Sequence, residues 1–355
     1  MPDAHFPPAA RQDRWPQLVH VSHGTELAPL LVKAGWLNQA PTPATVFTLY
    51  DRGGNRSSVD VHQPAVRELV AAAHSHGVHA LNGLEHPLSV ALACANGVVV
   101  ESQTYADELI AADTADDNRL ALARFRERIV AIPSGVDSQR WRFSVDPHVE
   151  GHPRDSFVDR KAATKLALQR ELGLSPQAKR PLVAVLGPYE HLDSDIATAM
   201  GELDCQLVFV PDSERDGSVL PMLRRLARHR VATRFADTST RHRAVAAADF
   251  LLMPHDFVSL GPSQLYCWRY GAVPIAPHRG GFADSLVEID ASTATGNGFV
   301  YDPADQRGLL GAVQRAIHCF RQPTAFASIR SRLSKADLSW HTAAMRHVEL
   351  YTQLI

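Results

Sequence analysis

The residues of this 355-residue sequence best suited to chemistry gather around glycines. Gly261, Ser263 and Gln264 open an expected helix in the run PHDFVSLGPSQLY. The free amides and positive dipole end of a helix start can hold phosphate, although Pro262 removes one donor. The same residues also read as a plain helix cap kept for folding. Gly280 and Gly281 predict a tight turn, with ligand contact the lesser alternative. Eighteen histidines offer many ligands or bases, yet none falls in an HExxH pairing. His74, His76 and His242 are therefore read as surface or half-buried residues, and no metal site is expected. Cys94, Cys205, Cys267 and Cys319 make no CxxC or Cys/His spacing and are read as reduced core residues of a cytoplasmic protein. Trp141 and Trp340 are read as core anchors, not stacking platforms.

Composition narrows the classes. The length suits two domains, each with its own core. A formal net charge of -2 argues against a nucleic-acid partner, which usually shows as a clustered basic excess. Arg224, Arg225, Arg228 and Arg230 are read as a solvated helix face. The first fifteen residues lack an apolar segment and do not form a signal peptide, and no run approaches a membrane span.

These residues need elements to position them. LVHVS (18–22), TVFTLY (45–50) and GVVVE (97–101) read as strands, and RIVAIPSGVD (128–137) as a strand ending in a Pro/Ser/Gly turn. A short helix is expected in ELAPLLVKAGW (26–36), broken near Gly35. Gln63–Gly77 is a stronger one, with Val66, Leu69, Val70 and Ala73 along one stripe. Ser102 caps a helix running through Ile110. A further helix covers Lys161–Leu172 and stops at Gly173. The second half repeats PLVAVLG, CQLVFV, VATRF, DFLLM, AVPIA and GFVY between helical or turn segments, the rhythm of a doubly wound parallel sheet that binds ligands at the carboxyl ends of its strands. The last segment, SWHTAAMRHVELYTQLI, predicts an amphipathic helix with Trp340, Ala344, Val348 and Tyr351 near one stripe.

Several of these segments, in this order, resemble the bacterial glycogen/starch synthases of glycosyltransferase family 5. The resemblance is carried by IPSGVDSQRW (132–141), VDPHV (145–149), KAATKLALQRELGL (161–174), ADFLLMPHDFVSLGPSQLYCWRYGAVPIAPHRGGFAD (248–284) and LSWHTAAMRHVELY (338–351). It implies an α/β, GT-B-like fold of two facing Rossmann-like lobes, the N-terminal one truncated. Residues 1–14 would then be a flexible tail, 15–150 the truncated lobe and 151–178 a linker and helix. Residues 179–335 would form the nucleotide-sugar-binding-type lobe, and 336–355 a closing helix packing back on the first lobe.

The resemblance also implies a chemistry. Retaining transfer from a nucleotide-sugar releases a diphosphate, which basic side chains and a helix start must stabilise. The family places an Arg and a Lys after the first strand of its second lobe, a Glu before the donor-binding helix and a Lys in a glycine-rich loop at the start of the first lobe. Here Pro188 stands at the Arg position, Asp193 at the Lys position and Val258 at the Glu position; the opening loop has no counterpart before Leu18. A like charge at roughly 4 Å and an effective dielectric of about 20 costs on the order of 4 kcal/mol before screening. No ring stands at Ala236–Asp237, where the resemblance implies an aromatic near the adenine. Asp256, Glu190 and His191 are nearby groups, but a two-residue loop shift rarely keeps transfer geometry.

No residue is therefore assigned a catalytic role. The nucleotide-sugar-binding candidates are Gly261, Ser263, Gln264, Gly280, Gly281 and, by similarity to a sugar-contacting His, His23. No bound cofactor is expected beyond a nucleotide-sugar ligand such as ADP-glucose. Three readings follow: a pseudoenzyme that binds a glycan or protein partner, an active divergent glucosyltransferase, or a subunit whose truncated lobe another chain completes as a homo- or hetero-oligomer.

Overall fold

The structure, a computed structural model, describes residues 16–22, 28–33, 42–50, 64–75, 87–111, 122–187, 189, 192–211, 229–235, 237–254, 263–305 and 307–355. The chain divides into two compact units, Met1–Ile132 with Ala344–Ile355, and Pro133–Ala343. The division falls at Pro133, ahead of the junction expected over 151–178, because residues 133–150 pack with the second unit.

In the first unit, β1 (Leu18–Ser22), β2 (Ala44–Leu49), β3 (Gly97–Val100) and β4 (Ile129–Ala131) form a parallel sheet in that order. Each pairs in register with the next, as at Val46↔Gly97 and Val98↔Ile129. Helices α1 (Ala28–Lys33), α2 (Pro64–Ser75), α3 (Pro87–Cys94) and α4 (Gln103–Ala111) join the strands. The sequence PLSVALAC of α3 is apolar around most of its circumference, and its described side chains are correspondingly buried. Ser102 starts α4 as expected, its Oγ accepting from the Tyr105 amide at 3.0 Å. Strand β4 ends ahead of the expected Pro/Ser/Gly turn, where Pro133 has no amide to donate.

The second unit carries β5 (Leu182–Leu186), β6 (Gln206–Val210), β7 (Val231–Thr233), β8 (Phe250–Leu252), β9 (Val273–Pro277) and β10 (Phe299–Tyr301). Their order, β10-β9-β8-β5-β6-β7, is entirely parallel. The strand order reverses between β5 and β8, which opens a crevice beyond their carboxyl ends. Around the sheet lie α5 (Phe157–Glu171), α6 (Ser194–Glu202), α7 (Thr238–Ala247), α8 (Ser263–Arg269), α9 (Gly280–Ser285), α10 (Gly308–Phe320) and α11 (Pro323–Ser334). Helix α5 is capped by Ser156, whose side chain accepts from the Asp159 amide, and Gly173 follows it at φ 71.

At the opposite, amino-terminal end of this sheet, α5 drives two lysines into the core. Lys165 Nζ donates to Asp249 Oδ2 at 2.6 Å, and the same oxygen accepts from the Leu182 amide at 3.0 Å. Asp249 thereby ties the starts of β5 and β8 together. Arg330 Nη1 lies 3.6 Å from Asp249 Oδ1, and Lys161 Nζ donates to the Val245 carbonyl at 3.3 Å. Burial pushes the Lys161 ammonium well below its ordinary range, with the nearby Arg330 charge adding to the shift.

The last helix, α12 (Trp340–Leu354), corrects the expected stripe. Ala343, His347, Leu350, Tyr351 and Leu354 face inward, whereas Ala344 is exposed, Val348 is 53% exposed and Trp340 is 48% exposed. Leu350 and Leu354 pack at Gly97, where an added Cβ would lie 3.2 Å from Leu354 Cδ1. These leucines set the phase of the helix, and Trp340 is not a core anchor. Arg230 also departs from expectation: it sits in the turn before β7, its Nη1 donating to the Leu203 carbonyl at 3.5 Å. Arg224, Arg225 and Arg228 lie outside the described residues. All four cysteines are free and buried. Among the described residues, no helix is long and apolar enough to cross a membrane.

Candidate functional site

The crevice beyond β5 and β8 is built from the segments that follow β5, β8 and β9. After β5 the chain bends at Gly187, whose amide donates to the Val210 carbonyl at 3.1 Å. Tyr189 turns inward, buries its ring against Phe209 and donates its hydroxyl to the Val185 carbonyl at 2.9 Å. Leu192 is buried too. Asp193 then caps α6, its Oδ1 accepting from the Ile196 amide at 2.8 Å. The aspartate at the position of the implied lysine has a local structural task that a lysine cannot perform.

The other wall is a chain of small polar contacts. Gln264 is fully buried in α8 and donates through Nε2 to Ser285 Oγ at 3.1 Å; Ser285 in turn donates to the Gly281 carbonyl at 2.6 Å. Gln264 Oε1 has no hydrogen-bond partner among the described residues. Asn297 closes this wall, giving Nδ2 to the Ser285 carbonyl at 2.8 Å and taking the Val287 amide at 2.6 Å. Gly280 lies at φ 49 in the first position of α9, a left-handed conformation that favours glycine, and Gly281 is buried behind it. The expected turn is thus the opening of a short helix, and Gln264 pins α8 to it. Ser263 begins α8 half-buried.

His23, Pro188, Glu190, His191, Ala236, Asp256, Val258 and Gly261 lie outside the described residues. Asp237 caps α7, accepting the Thr240 amide at 2.6 Å. Two side chains that follow strands at the carboxyl-terminal end of this sheet escaped sequence reasoning. Phe235, which with Arg234 directly follows β7 and precedes Ala236 in the sequence, is 43% exposed. Arg279 occupies the N-cap of α9 immediately before the glycine pair. Both had a signal in the sequence, namely their position one residue from a segment already singled out. A small cavity of about 70 Å³ lined by Glu171, Arg234, Ser239, Thr240 and Arg243 is too small for a nucleotide.

A second polar cluster lies between residues 137–149 and helices α7 and α8. His242 is buried, not a surface residue, and its Nε2 lies 2.5 Å from Asp146 Oδ2. The Tyr270 hydroxyl also donates to Asp146 Oδ2, and Asp146 Oδ1 accepts from the His148 amide at 2.7 Å. Burial alone would raise the Asp146 carboxyl, but hydrogen bonds from His242 and Tyr270 outweigh it and hold the group below its ordinary value. Trp141 stacks on His242 at 4.0 Å and on Tyr266 at 3.7 Å between ring centroids. Half-buried and packed against the core of the second unit, it is an anchor as expected, and it anchors by stacking on the protein's own rings.

No protein-family model matches the chain. A glycogen synthase from Anaeromyxobacter dehalogenans (strain 2CP-1) is 34% identical over 278 residues, covering 75% of this chain and 57% of that protein. One from Marinomonas sp. (strain MWYL1) is 30% identical over 342 residues, covering 93% of this chain and 70% of its own length. The chain belongs to the glycogen synthase family. Its fold is the GT-B fold of that family: the catalytic domain of starch synthase IV from Arabidopsis thaliana, bound to ADP and acarbose, aligns with a TM-score of 0.74 over 95% of this chain and 72% of its own, at 23% identity. Sucrose-phosphate synthase from Thermosynechococcus elongatus aligns at a TM-score of 0.57 and 17% identity. The chain spans little more than half the length of the Anaeromyxobacter glycogen synthase.

Proposed function

We propose that this glycogen synthase homologue has lost most or all sugar transfer and acts by binding a glycan or a protein partner. The observation that carries the reading is Asp193: an anion that caps α6 stands where the family resemblance implies the lysine beside the departing diphosphate. Pro188 and Val258 remove the implied guanidinium and carboxylate from the same transition state, and losses on one transition state are hard to replace together. What remains of the donor side is scaffold, the Gln264–Ser285–Gly281 contacts and the glycine pair.

A second reading, an active divergent retaining glucosyltransferase using ADP-glucose or a related donor, is favoured by Arg279 and Phe235. These supply a cation beside Gly280 and an exposed ring beside Ala236. Calorimetric titration with ADP, UDP and their glucose conjugates, paired with a transfer and donor-hydrolysis assay on glycogen, separates the two. Affinities weaker than millimolar and no turnover are expected. Turnover by the unmodified chain that disappears in Arg279→Ala would establish the second reading and overturn the first.

A further inference from the structure

Asp146, His148 and His242 converge although they are far apart in sequence, and one ligand atom of each lies within 4.8 Å of the others. We propose that these three side chains form a binding site for a borderline divalent transition cation, with Zn²⁺ as the reference ion.

Two imidazoles and a carboxylate are the mixed nitrogen and oxygen set that Zn²⁺ accepts, with a fourth position left to water. Bonds of about 2.0–2.1 Å in a tetrahedron place ligand atoms roughly 3.3 Å apart. The His242–Asp146 pair is closer than that, at 2.5 Å, so it opens slightly as the metal replaces the proton between the two atoms. The proton on His242 Nε2 moves to Nδ1, or to solvent from an imidazolium. His148 must close in by up to about 1.5 Å, from a separation of at most 4.8 Å, and it is half-buried on a loop that allows this.

The surrounding contacts match what orients metal ligands elsewhere. The Tyr270 hydroxyl holds Asp146 Oδ2, and Trp141 fixes the plane of the His242 ring. A buried hydrogen-bond network without any ion accounts for Asp146, His242 and Tyr270. It does not account for His148. Its ring tilts against His242 at 4.8 Å between centroids, and it makes no hydrogen bond among the described residues. A shared cation gives that imidazole a partner. The four cysteines are buried and do not compete for the ion.

The test uses the full chain without a histidine tag, stripped with a chelator and titrated with Zn²⁺ by calorimetry. One equivalent with micromolar or tighter affinity is expected, together with a rise in Tm of several degrees. His148→Ala removes a half-buried ring and leaves the Asp146–His242–Tyr270 contacts in place. It is expected to weaken binding at least tenfold and to abolish the rise in Tm, with an unchanged circular dichroism spectrum. The exposed His318→Ala variant should bind as the unmodified chain does. No saturable one-to-one uptake, or equal uptake by the His148→Ala protein, overturns the proposal.

Discussion

A residue that caps a helix and a residue that neutralises a diphosphate make incompatible demands on one position. At 193 the cap prevails, since the Oδ1 of Asp193 satisfies the Ile196 amide that α6 would otherwise leave open. The two roles separate by substitution. Asp193→Asn keeps a capping oxygen and removes the charge, so stability should hardly change while ADP binding strengthens several-fold. Asp193→Ala loses the cap and should cost about 1 kcal/mol. Thermal melts and calorimetry on both variants check this. An aspartate was legible in the sequence as a lost cation; that it serves α6 was not, because capping depends on where a helix begins to within one residue. Phe235 and Arg279 were missed for a related reason: each lies within a segment that was read, directly before the residues singled out, Ala236–Asp237 and Gly280–Gly281.

Among the elements, strands were more legible than helix faces. Each run in the second half paired as a strand of one sheet, because β-branched and apolar clusters there have no other way to bury both faces. The stripe of α12 was read one residue out of phase, since exposed Trp340 and Val348 look as apolar as buried Leu350 and half-buried Leu354. Buried charge in α5 was invisible for a different reason: Lys165 looks like a surface lysine until Asp249, distant in sequence, is placed beside it. Asp249→Asn should leave Lys165 and Arg330 buried without their counter-charge and lower stability by about 3–5 kcal/mol, readable as a fall in the urea midpoint. Strand β1 offers a pH test. His20 is held by the Tyr351 hydroxyl at 2.5 Å and by Thr48 Oγ1 at 2.6 Å, and stacks on His347. Burial, and then the His347 charge, lowers its pKa below 6.5. Between that ordinary value and the lower folded one, the unfolded chain binds more protons, so stability falls as the pH drops below about 6.5. His20→Gln should flatten that part of the profile, as followed by urea midpoints across pH.

At the scale of the whole molecule, the first unit is assembled from two stretches separated by the second, and its closing residues Leu350, Tyr351 and Leu354 belong to the last helix. A chain ending at Ala343 should retain a cooperative melt from the second unit while the first loses amide-exchange protection around β1 and β3. Equal protection in both forms would show that the returning segment contributes nothing. During synthesis, the six-stranded sheet is fully translated while the four-stranded one still lacks its final helix. The amino-terminal strands therefore emerge first from the ribosome yet finish folding last. Until residues 344–355 are synthesised, the face around Gly97 stays open to chaperones or to a neighbouring nascent chain.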